Sequence, residues 1–160
     1  MGLFNLFSSK KETSKQPQQS GAQLQSDLFR NLSEKQKYAM VTMFASLAAA
    51  PASAERTAMA QKMFISGAAM MGITEDMMLN YMQTHPRADS QTVLSTLKTI
   101  TDTNVLEWFL YSGFGIIAVN QNEKVVNVFY NWWMQLGYNP DDVDRVVKKV
   151  DATCNKLRQL

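Results

Sequence analysis

The sequence predicts an all-α fold: two similar helical-hairpin units packed into a single seven- or eight-helix bundle, behind a flexible N-terminal tail. Three observations carry this. First, Met71-Gly72-Ile73-Thr74-Glu75-Asp76 recurs sixty-five residues later as Leu136-Gly137-Tyr138-Asn139-Pro140-Asp141. In each copy an apolar stretch ends on a glycine able to adopt the left-handed conformation, and a Thr or Asn then caps a new stretch with an acidic first turn. Second, with Gly72 laid on Gly137, Phe64 falls on Phe129, Phe44 on Phe109 and Tyr81 on Val146. Third, no segment alternates apolar and polar residues with period two over a useful length.

Taken in order, residues 8–23 hold Ser, Lys, Gln, Gly and one Pro with hardly an apolar side chain, too little to offset the entropy of ordering them. Residues 1–23 therefore read as a tail and linker, and 24–160 as the helical domain. Leu24, Leu28 and Leu32, spaced by four, predict a short first helix. Ser33 caps the next, whose stripe is Met40, Met43, Phe44 and Leu47, with Lys35, Lys37, Thr42 and Ser46 facing elsewhere. Pro51 ends it, and Ser53 caps a third helix striped by Met59, Met63, Phe64, Gly67 and Met70. After the first glycine joint a short helix carries Met77, Met78 and Tyr81.

Thr84-His85-Pro86-Arg87 is a turn, because the residue before a proline is pushed out of the helical region. Asp89 or Ser90 then opens a helix with Val93, Leu94, Leu97 and Ile100. Asn104 followed by Glu107 matches a capping box, and the helix it starts is apolar on nearly every face, from Val105 through Trp108 and Phe109 to Ile117, which places it at the centre. Gly113 and Gly115 on it let a neighbouring backbone come close. Asn120-Gln121-Asn122 turns the chain into a helix stacking Val125, Val126, Phe129, Trp132, Trp133 and Leu136. After the second joint, with Pro140 at a first helical position, the last helix runs Val143, Val146, Val147, Val150, Cys154 and Leu157. Its acids Asp141, Asp142 and Asp144 come first and its bases Lys148, Lys149, Lys156 and Arg158 later, as the helix dipole favours.

Composition narrows the function. With 160 residues, 46% of them hydrophobic, one sizeable core is the natural count. A formal net charge of +2 supplies no dense basic face, so nucleic acid is not an expected partner. One cysteine forms no internal disulfide and no zinc cluster, which fits a reducing, cytoplasmic compartment. The start Met1-Gly2-Leu3-Phe4 lacks the basic lead of a secretory signal, so export is not expected. The run from Val105 to Val119 contains Glu107 and is about fifteen residues, short of the roughly 20 that span a bilayer.

The paired hairpins, Phe44 to Met82 and Phe109 to Val150, resemble the TerB-like family of tellurite-resistance-associated proteins, over roughly Ser33 to Asn155. The resemblance implies an intracellular, bacterial or phage-like interaction domain working beside membrane-associated modules, and no reaction. Family members carry an Asp-Gly pair in each hairpin turn and a Glu on the following helix, and some are thought to bind metal through these acids. Here the turns read Ala50-Pro51-Ala52 and Asn120-Gln121-Asn122. Glu55 and Glu123 stand where the family has its glutamates, but the aspartates are absent, so the metal site does not carry over.

No catalytic, cofactor or metal residue is singled out. Cys154 is a nucleophile if a base lies near it and a buried inert thiol if its stripe packs. His85, the only histidine, reads as a turn residue, and the pairs Glu75-Asp76 and Asp141-Asp142 as first-turn carboxylates rather than cation ligands. Nine of the eleven methionines lie between Met40 and Met82, as core filling or as an adaptable surface. At the N-terminal tip Leu3, Phe4, Leu6 and Phe7 precede Lys10 and Lys11, a pattern open to two readings: a weak anchor on an anionic membrane, or an unanchored end. The expectation is a non-enzymatic protein-interaction domain with a protein partner and no cofactor, held weakly at the inner face of a membrane. The alternative is a metal-binding or tellurite-stress protein.

Overall fold

The computed structural model describes residues 27–143, 145–149 and 152. Among these every regular element is a helix: α1 Glu34–Ala48, α2 Ala54–Met70, α3 Glu75–Thr84, α4 Ser90–Leu97, α5 Thr103–Asn120 and α6 Glu123–Gln135, followed by α7, which is helical at 142–143 and 145–149. The 1–23 tail, its tip residues, and Leu24, Asp144, Val150, Cys154, Lys156, Leu157 and Arg158 lie outside the described residues.

The bundle is organised around α1 and α5. Helix α1 opens with a full capping box, Ser33 bonding the Gln36 amide while the Gln36 side chain bonds the Ser33 amide, and it packs against α2, α4 and α5. Helix α5 packs against α1, α2 and α6 and buries Val105, Leu106, Trp108, Phe109, Leu110, Ile116 and Ile117. Where α1 and α5 meet, Phe44 lies 5.1 Å from Phe109 and 6.0 Å from Trp108, ring centre to ring centre. Val93, Leu94, Leu97 and Ile100 are buried as their spacing predicts.

Both glycine joints are Schellman motifs. At the first, the Gly72 amide donates to the Ala69 carbonyl and the Ile73 amide to Ala68; at the second, Gly137 donates to Met134 and Tyr138 to Trp133. Gly72 has φ +79 and Gly137 φ +94, values an L side chain rarely takes. The apolar contact that accompanies such a motif is present at the second joint, where Tyr138 sits edge-on to Trp133 at 5.5 Å. Thr74 caps α3 with its hydroxyl. At the second joint the capping direction reverses: the Asp142 carboxylate accepts from the Asn139 amide, and Pro140 and Asp141 form a turn ahead of α7.

Four readings change. Residues 27–31 are turns with bonds from Arg30 to Asp27 and from Leu32 to Phe29, not a helix, because the Ser33 box starts α1 only four positions after Phe29. The side chain this segment buries is Phe29, edge-on to Trp108 at 4.6 Å, rather than Leu28 or Leu32. The α2 core face keeps Phe64 and Gly67 of the expected stripe, Gly67 lying against the Phe44 ring of α1, and adds Ala60 and Ala68; Met59 and Met63 are 49% and 38% exposed, the Met63 methyl reaching Gly115 of α5. The α5 cap is Asp102, which accepts from the Asn104 amide, so Asn104 lies inside the helix and Glu107 does other work. What Gly113 and Gly115 admit is side chains, Phe129 and Met63, rather than backbone.

Candidate functional site

The site is built by a proline. Pro86 holds His85 extended, φ −117 and ψ 139, which stops α3 at Thr84 and sends residues 85–89 across to Asp89, the α4 cap. Between α1, α3 and this connection lies a cleft of about 580 Å³. That is within the roughly 300–1,000 Å³ of small-ligand and side-chain pockets. Its lining includes buried Val41, Ala45, Phe64 and Met78, with Tyr38, Tyr81, Met82, His85 and Pro86 beside them and Thr42, Ser46, Arg87, Asp89 and Ser90 supplying polar groups.

Three rings form a continuous stack here. Tyr38 of α1 lies on Tyr81 of α3 at 3.9 Å with 5° between planes, and Tyr81 lies on His85 at 4.1 Å with 16°. His85 Nδ1 lies 3.0 Å from the Thr84 hydroxyl and 3.2 Å from the Tyr81 carbonyl, contacts that hold the ring over Tyr81. Partial burial, then Glu34, push the Tyr38 hydroxyl pKa up and keep it protonated. The Asp89 carboxyl is held below its ordinary value chiefly by the Thr92 amide, then by the Thr92 hydroxyl, so its charge is committed to capping α4. Arg87 makes no ion pair among the described residues.

The other sequence candidates lie apart from this cleft. Glu75 and Asp76 are exposed in the first turn of α3. Asp142 pairs with Arg145 at 3.2 Å, its pKa lowered chiefly by the Asn139 amide. Glu107 is the buried carboxylate the sequence did not announce: 6% exposed, it meets Arg145 at 3.4 Å and, more closely, Lys149. The two hairpin turns are tied by amides, Asn120 Nδ2 donating to the Ala50 carbonyl at 3.0 Å and Asn122 Nδ2 to Pro51 at 2.8 Å, while Glu55 and Glu123 are exposed in the first turns of α2 and α6. Among the described residues no three His, Cys, Asp or Glu side chains group closely enough to hold a metal ion, and no helix is long and apolar enough to cross a membrane.

Of the residues lining the cleft, the sequence marks His85 as a turn residue, and the chain does bend there, and Tyr81 as part of the α3 stripe. Arg87 is legible only as part of that turn, and Tyr38 carries no signal, since nothing local links it to a ring forty-three positions on. What fold and site define together, among the described residues, is an all-helical bundle with an apolar cleft floored by its core and lined by stacked rings. No family model, curated protein or solved structure matches this chain.

Proposed function

We propose that this chain is a non-enzymatic, cytoplasmic protein-interaction domain of TerB-like build, and that the cleft between α1 and α3 is where a partner docks. The observation that carries the reading is the cleft itself, an apolar floor open beside the Tyr38, Tyr81 and His85 rings. Rigid aromatic walls give a partner side chain a large contact at little entropic cost. The TerB-like part of the reading is supported by the hairpins α1–α2 and α5–α6, each closed by a Schellman corner.

A photo-crosslinking residue placed at Met82 in cells should trap a discrete partner, and Tyr81→Ala should abolish the adduct. The same residue at Met59, on the exposed side of α2, should not give it. Equal adducts from both positions would sink the cleft as the docking site.

The N-terminal tip completes the proposal: Leu3, Phe4, Leu6 and Phe7, with Lys10 and Lys11, hold the domain weakly on an anionic membrane. Four shallowly buried apolar side chains at about 1 kcal/mol each, with about 1 kcal/mol per lysine, amount to roughly 6 kcal/mol or less before ordering costs. Full-length protein should float with anionic liposomes at low salt, and a Phe4→Ser, Phe7→Ser variant should stay in the pellet. Identical flotation of the two would rule the anchor out.

A further inference from the structure

We infer that the segment seated in this cleft is an acidic peptide from another protein, carrying a large apolar side chain next to a carboxylate that pairs with Arg87. The inference rests on the reading of the cleft as a docking site and adds the chemistry of the occupant.

Three features of the lining select that chemistry. The floor is apolar and lies beside rings, so it takes a bulky apolar or aromatic side chain. The hydroxyls of Thr42 and Ser46 spend their protons on their own helix, Thr42 donating to the Tyr38 carbonyl at 2.7 Å and Ser46 to the Thr42 carbonyl at 2.9 Å. Their oxygens keep lone pairs free to accept from an occupant of the cleft. Acceptors of this kind match backbone N–H groups, which a peptide has and a fatty acid lacks. The charge balance then sets the sign. Asp89 has both carboxylate oxygens on Thr92, while Arg87, also in the lining, has no anionic partner among the described residues. Asp89 stays ionised, but its oxygens are taken at the positive end of α4, so the group left to bind an ion is the Arg87 guanidinium, whose fork suits a carboxylate. The chain's own apolar tip is a poor match, because it would bring Lys10 and Lys11 to Arg87.

The test uses the full chain with methionine methyls carbon-13 labelled and three blocked peptides as probes, Gly-Trp-Glu-Glu-Gly and its Gln-Gln and Lys-Lys counterparts, each titrated into the millimolar range. The Met78 and Met82 methyls should shift and the Met59 methyl should not. The Glu peptide should bind about three- to tenfold more tightly than the Gln peptide, the range of a rim ion pair to a charge-assisted hydrogen bond. That ratio should fall to unity in Arg87→Gln and shrink at high salt. Equal binding of the three peptides, or a ratio unmoved by Arg87→Gln, overturns the acidic assignment while the docking reading stands. Decanoate competing as well as the Glu peptide overturns the peptide assignment. Silence of Met78 and Met82 toward every probe overturns both the inference and the docking reading beneath it.

Discussion

Replacing Gly113 by Leu is expected to destabilise the protein by about 3 kcal/mol, at the upper end of what overpacking a core costs. A Cβ at this position would stand 2.7 Å from Cε2 of Phe129 and 3.5 Å from a methyl of Leu47. Phe129 cannot yield: its ring is 2% exposed and is held edge-on by Trp133 at 5.7 Å and Tyr130 at 5.9 Å. Gly113→Ala meets the same ring but recovers about 1 kcal/mol of helix propensity, so its net cost should be smaller. Gly115 is the control. There the added Cβ would meet only the terminal methyl of Met63 at 2.6 Å, the far end of a flexible side chain that is 38% exposed. Gly115→Ala should therefore be neutral or stabilising by up to about 1 kcal/mol. Equilibrium urea unfolding of the three variants reads the difference. A Gly113→Leu protein as stable as its parent would place this face of α5 in solvent.

The same contrast shows what the sequence could convey. The joints at Gly72 and Gly137 were legible because a Schellman motif closes within six residues, and the α4 stripe because Val93, Leu94 and Leu97 lie on one short face, although the expected fourth member, Ile100, is buried from the turn beyond the helix. The α2 face was legible only in part: Phe64 and Gly67 of the expected stripe are buried, Gly67 against the Phe44 ring of α1, but Ala60 and Ala68 carry too little bulk to mark a core face, and the larger Met59 and Met63 lie at its margin. Glu107 misled in a related way. Asn104 and Glu107 have the spacing of a capping box, but Asp102 stands two residues earlier and takes the cap, while the groups that answer Glu107 come from Arg145 and Lys149 on α7. The cleft has the same origin, since Tyr38 and Tyr81 meet only once α1 and α3 are in place. Contacts within a turn of helix leave a pattern in the chain; contacts between helices leave residues that look ordinary until they are paired.

The Glu107 cluster should show an asymmetry when its charges are removed from one side or the other. The Glu107 side chain is 8% exposed, whereas those of Arg145 and Lys149 are 55% and 49% exposed. Glu107→Gln keeps the shape and leaves two cations that can turn into water, so the loss should be small, on the order of 1 kcal/mol. Removing the cations instead, as Arg145→Met with Lys149→Met, leaves a buried carboxylate with no ion-pair partner among the described residues. Stranding a buried charge typically costs about 3–5 kcal/mol, because desolvation is no longer offset by attraction. The double variant should therefore unfold at markedly lower urea than Glu107→Gln, although it removes the more exposed partners. Adding Glu107→Gln to it should restore at least half of the loss, since the triple variant buries no charge. A double variant as stable as Glu107→Gln, or a triple variant no better than the double, would mean that the α5–α7 contact is held by apolar packing around Val143 and Val146 and that the buried carboxylate is solvated in solution.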